Sequence, residues 1–314
     1  MISAKTIIEA YERISSAIHK TPIITSRTIN RIAGCEVFFK CDHLQKTGSF
    51  KARGAYNSTK LISQDPNCKG VITHSSGNHG QALAWAAEQI GLKCVVVVPK
   101  NAPTSKIDAM EEYNAEIHRC ENSIKAREET CEHLSEELGY PIVPPYDSIQ
   151  TINGQGTIAV ELIEQIPDLD AVFLSIGGGG LASGVAAYIG EHFPNIRVFL
   201  VEPAGKELGK YLFTGVFENQ QEALDTVADG IRVHKIGSIC FPIIQKFCKS
   251  NIITVTEEEI SEAVKLIWTR TKQRVEPTAG VPLAGLLKSN LKDLNVKKAA
   301  VILCGGNVDI TYTP

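Results

Sequence analysis

Short, uninterrupted apolar runs recur along the chain at residues 37–39, 71–73, 94–98, 171–176, 198–201 and 299–304. Runs of this length without polar alternation predict strands buried on both faces of a sheet. Between most of them lie stretches with helical spacing, such as 52–62, 81–90 and 260–272. This alternation predicts an α/β fold of mostly parallel sheets flanked by helices. The first segment reads as an amphipathic helix: Ile7, Tyr11, Ile14 and Ile18 follow helical spacing, Thr6 and Glu9 are spaced as a capping box, and Thr21-Pro22 stops it.

The clearest breaks, at 100–103 and 141–145, contain proline, yet neither resembles a flexible linker. Two lobes about one cleft suit an α/β enzyme of 314 residues. A composition of 43% apolar and 21% charged residues is that of a soluble protein with a sizeable core. A net charge of −3 without a Lys/Arg block argues against a nucleic-acid partner and for small-molecule ligands. The nine cysteines include no Cys-x-x-Cys pair, so neither a disulfide framework nor a zinc site is indicated and a reducing cytoplasm fits. The N-terminus lacks an apolar signal core, and no apolar stretch approaches the about 20 residues that span a membrane.

Four segments carry candidate chemistry. Gly177-Gly178-Gly179-Gly180 lies between a strand-like run and a helix-like one beginning at Leu181, where backbone N–H groups and a helix dipole can hold an anion, so it predicts a bound phosphate. Lys51, in Lys46-Thr47-Gly48-Ser49-Phe50-Lys51, opens a helix-like stretch, and a helix start favours the neutral amine that forms a Schiff base. Ser75-Ser76-Gly77-Asn78-His79-Gly80-Gln81 follows a strand and opens a helix, the end of a parallel sheet where ligands bind. Cys304-Gly305-Gly306-Asn307 ends another strand with glycines. Each also has a plain reading: a solvated lysine, a helix capped by Ser or Asn, a structural His79, a turn beside a buried cysteine. Neither a Gly-x-x-x-x-Gly-Lys-Ser/Thr loop nor a Gly-x-Gly-x-x-Gly unit with a suitably placed acidic residue is present, which disfavours ATP hydrolysis and dinucleotide redox chemistry.

Together with Gly154-Gln155-Gly156-Thr157, Ala228-Asp229-Gly230, Glu276-Pro277-Thr278-Ala279-Gly280 and Gly305-Gly306-Asn307-Val308-Asp309, these segments resemble the fold type II pyridoxal-phosphate enzymes, in the branch of serine racemases and serine/threonine dehydratases. The resemblance covers nearly the whole chain. It implies a two-lobed fold like the tryptophan synthase β subunit, with a large cofactor-binding domain from 1–60 and 148–314 and a small mobile domain from 61–147. It further implies that Lys51 bonds the cofactor aldehyde, that Gly177, Gly178, Gly179, Gly180 and Leu181 bind its phosphate, that Asn78 bonds its ring oxygen, that Phe50 packs on the ring and that Cys304 faces the pyridine nitrogen. Ser75, Asn78 and Arg127 would hold a substrate carboxylate, with Lys51 and Ser76 as proton carriers on opposite faces.

Ser76 resembles the racemases, in a place where bacterial threonine dehydratases commonly have alanine, whereas Cys304 resembles mammalian-type serine dehydratases. The expectation is interconversion of L- and D-serine with β-elimination to pyruvate and ammonia; the alternative is an L-serine/L-threonine dehydratase that does not racemise. Pro145-Tyr146-Asp147-Ser148 lacks the three-serine run that would point to aspartate. By resemblance the enzyme is a cytoplasmic homodimer activated by ATP, at Ser26, Lys46, Thr47, Gln81, Tyr113 and Asn307, and by Mg2+, Ca2+ or Mn2+ at Glu202. The aspartate expected six residues beyond Glu202 is Leu208, and only Glu207 stands near as a substitute.

Overall fold

The computed structural model describes residues 1–214, 223–248 and 250–314. Its strands in chain order are β1 (Ile23–Thr25), β2 (Glu36–Lys40), β3 (Gly70–Thr73), β4 (Lys93–Pro99), β5 (Glu116–Cys120), β6 (Ala171–Ser175), β7 (Arg197–Pro203), β8 (Ile252–Val255) and β9 (Lys298–Ile302). The helices are α1 (Ala4–Ile14), α2 (Arg27–Ala33), α3 (Lys51–Ile62), α4 (Asn78–Ile90), α5 (Thr104–Glu111), α6 (Ile124–Leu138), α7 (Ile149–Gln165), α8 (Gly180–His192), α9 (Leu208–Thr214), α10 (Cys240–Cys248), α11 (Glu257–Thr271) and α12 (Pro277–Lys288).

Six strands form one sheet in the order β1-β2-β9-β6-β7-β8, and three form another in the order β3-β4-β5. Pairing is parallel throughout except at β1, which runs antiparallel to β2 on the edge of the larger sheet. The predicted runs form β2, β3, β4, β6, β7 and β9, and β3 and β6 are buried along their whole length. The larger sheet centres one core around Phe39, Phe173, Leu200 and Val301. A second core gathers Val71, Leu83, Trp85, Val96 and Val98 with Ile14, Ile18, Ala52 and Ala55, so α1 and α3 contribute to the packing of the smaller sheet.

The first helix is capped differently from expectation. Ser3, not Thr6, is the cap, and the reciprocal partner is Thr6 rather than Glu9. The helix ends at Ile14, well before Thr21-Pro22. The nine cysteines are all free thiols, and among the described residues no helix is long and apolar enough to cross a membrane.

Two devices fix α3, which begins with Lys51. The Gly-Gln-Gly-Thr motif packs α7 against α3 and α8 at backbone distance: a Cβ on Gly154 would lie 2.6 Å from Gly54 Cα, and one on Gly184 would lie 2.6 Å from Gly156 N. Beneath this contact the Arg53 guanidinium donates to both oxygens of Asp42 at 2.6 and 2.9 Å and both of Glu161 at 2.7 and 2.9 Å. Lys40 completes this fully buried network on Glu161 at 2.6 Å. Breaking one member would strand a buried charge, so the network holds α3 on β2 and α7 in a single arrangement. Among such networks this one sits two residues from Lys51.

Candidate active site

Lys51 is tied to the end of β9 by its own approach strand. Ser49 bridges Gly305, and Phe50 N donates to Cys304 O at 3.0 Å. The Lys51 amine donates to Pro145 O at 2.7 Å and lies 5.1 Å from the Phe50 ring centre. Its surroundings push its pKa down to about 8, with burial the main cause and Cys304, Cys240 and Glu276 opposing. Burial, more than the helix start, therefore supplies the readily neutralised amine that a Schiff base needs.

The tetraglycine joins β6 to α8 as expected, and α8 starts at Gly180. The first helical bond runs from Ser183 N to Gly179 O at 2.8 Å, so the amides of Gly180, Leu181 and Ala182 have no partner within the helix and are available to an anion. Gly179 has φ +102, a left-handed backbone that favours glycine. Side chains are also excluded by space: a Cβ on Gly178 would meet the Tyr146 ring at 2.5 Å, and one on Gly179 would meet Cys240 Cβ at 2.8 Å. The segment Pro145-Tyr146 thus runs between the Lys51 amine and the glycine turn. Asp147 anchors it, accepting from Ser238 N at 2.8 Å and Ile239 N at 2.9 Å just before α10.

Around Asn78 the sequence motifs converge. Its amide nitrogen donates to both oxygens of Glu276, at 3.1 and 3.0 Å, and its oxygen accepts from Asn307 at 2.9 Å. Asn307 also donates to Thr47 O at 2.8 Å and Gln81 at 3.3 Å. Glu276 was legible only as part of a motif, yet it is a buried carboxyl with its pKa pushed up to about 7 by burial and by Asp229. Gly305 leaves room for it, since a Cβ there would lie 2.6 Å from the Glu276 carboxyl carbon. The Cys304 thiol receives the Ser175 hydroxyl at 3.8 Å, and burial raises its pKa so that it stays neutral.

On the smaller sheet, the reading of α4 as a helix capped by Ser or Asn does not hold. Gly77 is the cap residue without a side-chain bond, and Asn78 is the first helical residue. Ser75 Oγ accepts from Gly77 N at 3.5 Å, while the Ser76 hydroxyl has no hydrogen-bond partner among the described residues. His79 is structural: Nε2 meets Val143 O at 2.9 Å, and burial pushes its pKa down to about 3.

The pyridoxal-phosphate dependent enzyme family matches residues 14–305. The chain belongs to the pyridoxal-phosphate dependent enzymes. The serine racemase of Dictyostelium discoideum is 44% identical over 313 residues, covering 99% of this chain and 96% of that protein. The serine racemase of Mus musculus is 40% identical over 316 residues, covering 99% and 93%. A crystal structure of a pyridoxal 5'-phosphate-dependent aspartate racemase superposes with a TM-score of 0.96 at 44% identity, covering 100% of this chain and 98% of that one.

For a pyridoxal-phosphate dependent enzyme the residues fit the cofactor. The glycine turn has no room for side chains and offers amides to a phosphate, Lys51 offers a desolvated amine, and Cys304 brings a neutral thiol to the same site. Arg127 lies on α6 with its charge near His74, the residue before Ser75, but makes no side-chain hydrogen bond to Ser75 among the described residues. Of the residues expected around a nucleotide, Thr47, Gln81 and Asn307 are joined by hydrogen bonds and Lys46 adjoins them. Ser26 instead caps α2, and Tyr113 packs against the second core, neither bonded to this cluster.

Glu202 does not fit a divalent cation. Both its oxygens are engaged, one by Leu208 N at 2.9 Å and one by the Thr254 hydroxyl at 3.0 Å, and the charges that act on it are the Lys206 ammonium and, more weakly, the Glu207 carboxylate. Among the described residues no group of three or more His, Cys, Asp or Glu side chains is placed to hold a metal. A hard cation needs several oxygens, so the loss of the expected aspartate at Leu208 is decisive here.

Proposed function

We propose that this enzyme interconverts L- and D-serine and, as a side reaction, eliminates the β-hydroxyl to give pyruvate and ammonia. The observation that carries the proposal is the unpartnered hydroxyl of Ser76 after β3, on the smaller sheet, while the backbone leading into Lys51 is bonded to the end of β9 on the larger one. The serine racemases of Dictyostelium discoideum and Mus musculus, similar over almost the full chain, support the same reading.

When bound, pyridoxal phosphate supplies an electron sink that acidifies the Cα–H of an attached amino acid. The chain supplies the rest. Lys51 Nζ, held near pKa 8 by burial, takes a proton from Cα on one face. Ser76 Oγ delivers one on the other face; a free hydroxyl can rotate toward the carbon, and a weak acid of this kind needs hydrogen-bonded help from the substrate or water. Asn78, braced by Glu276 and Asn307, would hold the cofactor oxygen, and with Ser75 and Arg127 it would hold the substrate carboxylate. The neutral Cys304 thiol cannot stabilise a pyridinium as a carboxylate would, which keeps the sink moderate and allows elimination to accompany racemisation. The small domain, 61–147, would close the cleft over the amino acid, with Pro145-Tyr146-Asp147 at its end held against the glycine turn.

The finer reading is of a cytoplasmic homodimer with ATP as an activator. The joined Thr47, Gln81 and Asn307 and the unpaired buried hydroxyl of Thr47 support a nucleotide at that corner. Chiral chromatography after incubation with L-serine, L-threonine and L-aspartate tests the function. D-serine is the expected product. Pyruvate without D-serine would establish the dehydratase alternative, and D-aspartate as the main product would move the substrate to the acidic amino acid.

A further inference from the structure

The turn after β7 buries a lysine four residues beyond Glu202, within range of its charge but not in direct contact with it. Gly205 has φ +90 and Glu207 φ +53, so two left-handed residues flank Lys206. For Glu207 that backbone costs about 1 kcal/mol or more, and it persists only where surrounding contacts hold it. The turn sends Glu207 outward and Lys206 inward, where the whole residue is inaccessible to solvent. The Lys206 ammonium donates to the carbonyl oxygens of Val233 and, at 3.3 Å, His234, and Glu202 is the carboxylate whose charge it feels.

The carbonyls it grips belong to the segment that walls the glycine turn. Ile231 stands 3.1 Å from where a Cβ on Gly177 would lie, and Gly237 N donates to Gly178 O at 2.9 Å. Val233 and His234 fall between these two contacts. On the other side of Ile231, Gly230 N donates to Thr278 beside Glu276. A charge that fixes Val233 and His234 therefore fixes the wall on which the phosphate cradle rests.

We propose that Lys206 does for this enzyme what a divalent cation at Glu202 would do: its ammonium balances the buried carboxylate and draws the 223–237 segment against the glycine turn. An ammonium has three donors and suits a set of carbonyl oxygens. It also excludes its competitor. Glu202 and Lys206 together are neutral, so a divalent ion added beside them would leave an excess of two buried positive charges, which is prohibitive without further carboxylates. Lys206 is thus a positioning residue, and the enzyme needs no divalent cation. The inference rests on the family membership and on the cofactor site, not on which amino acid is turned over.

The test uses the holoenzyme and reads melting temperature and cofactor affinity, so it stands even if serine proves to be the wrong substrate. After dialysis against EDTA, wild type should keep its Tm within about 1 °C and its cofactor affinity within about twofold, whether or not MgCl2, CaCl2 or MnCl2 is then added. A rise of several degrees on adding one of these ions, about what saturating a stabilising site gives, would overturn the proposal. Lys206→Met, which keeps the bulk and removes the charge, should bind pyridoxal phosphate at least about tenfold more weakly. Unchanged affinity in that variant would also overturn it, because a lysine that only fills space would lower Tm without loosening the cofactor. If Lys206→Met does not fold, the wild-type cation titration alone decides.

Discussion

The two rims of the site are built differently. On the larger sheet, the ends of β6 and β9 carry residues fixed by backbone: the glycine turn has no room for side chains, Phe50 N is bonded to Cys304 O, and Asn307 binds Thr47, Asn78 and Gln81 at once. On the smaller sheet, the end of β3 offers Ser75 with one long bond to Gly77 N and Ser76 with none among the described residues. Holding a cofactor requires donors that do not reorganise, whereas passing a proton to carbon requires a hydroxyl free to turn. On the proposed reading, the phosphate and Lys51 are anchored on the first rim, Asn78 reaches the cofactor from α4 on the second, and half of the proton chemistry belongs to Ser76 there.

Breaking the first rim at its reactive residue should have the largest effect. Lys51→Ala is expected to lower turnover about 10^4-fold or more and to abolish the visible-edge absorbance that borohydride fixes to the chain. Ser76→Ala on the second rim should reduce racemisation by about 10^2- to 10^4-fold while elimination from one serine enantiomer survives, seen as pyruvate release without inversion. An equal loss of both reactions from both enantiomers would erase the contrast. Gly178→Ala should weaken cofactor binding about ten- to a hundredfold, since its Cβ would sit 2.5 Å from the Tyr146 ring and overpacking costs about 1–3 kcal/mol. Titration of the apoenzyme with the cofactor, followed by fluorescence, measures it.

The smallest effect is a pH dependence. Because the Lys51 pKa is lowered to about 8, capture of added cofactor by the apoenzyme should rise about tenfold between pH 7 and pH 9 and then level off. An amine at its ordinary value would keep accelerating toward pH 10.5. The linked stability has a definite sign: the unfolded chain binds the extra proton between about 8 and 10.5, so the Lys51 contribution to apoenzyme stability increases with pH across that window and is a fixed penalty below it.

Much of this was readable from local pattern. The apolar runs at β3, β4, β6, β7 and β9 are continuous because both faces are covered, and the glycines beyond β6 and β9 mark where backbone must come close to something else. Three strands carry no long apolar run, for different reasons. β1 has three residues at an edge, β5 reads Glu-Ile-His-Arg-Cys with polar side chains on an edge strand, and β8 is a short edge strand only partly buried. Long-range partners were the other gap. Nothing local marks Asp147 as the anchor for residues 238–240, or Glu276 as the brace of Asn78, since each bond closes a loop of dozens of residues. Lys206 has few local marks in the sequence: Gly205 before it and Leu208 where a carboxylate is expected.

The central claim is that two different groups, one on each rim, serve the two faces of the substrate. Its most direct measurement is the α-position of D-serine formed from L-serine in D2O during the first turnovers, read by mass spectrometry after chiral separation. The account predicts D-serine that carries solvent deuterium at Cα, because Lys51 removes the original hydrogen and Ser76 delivers a different one. D-serine that retains its original α-hydrogen would mean a single group serving both faces and would contradict it.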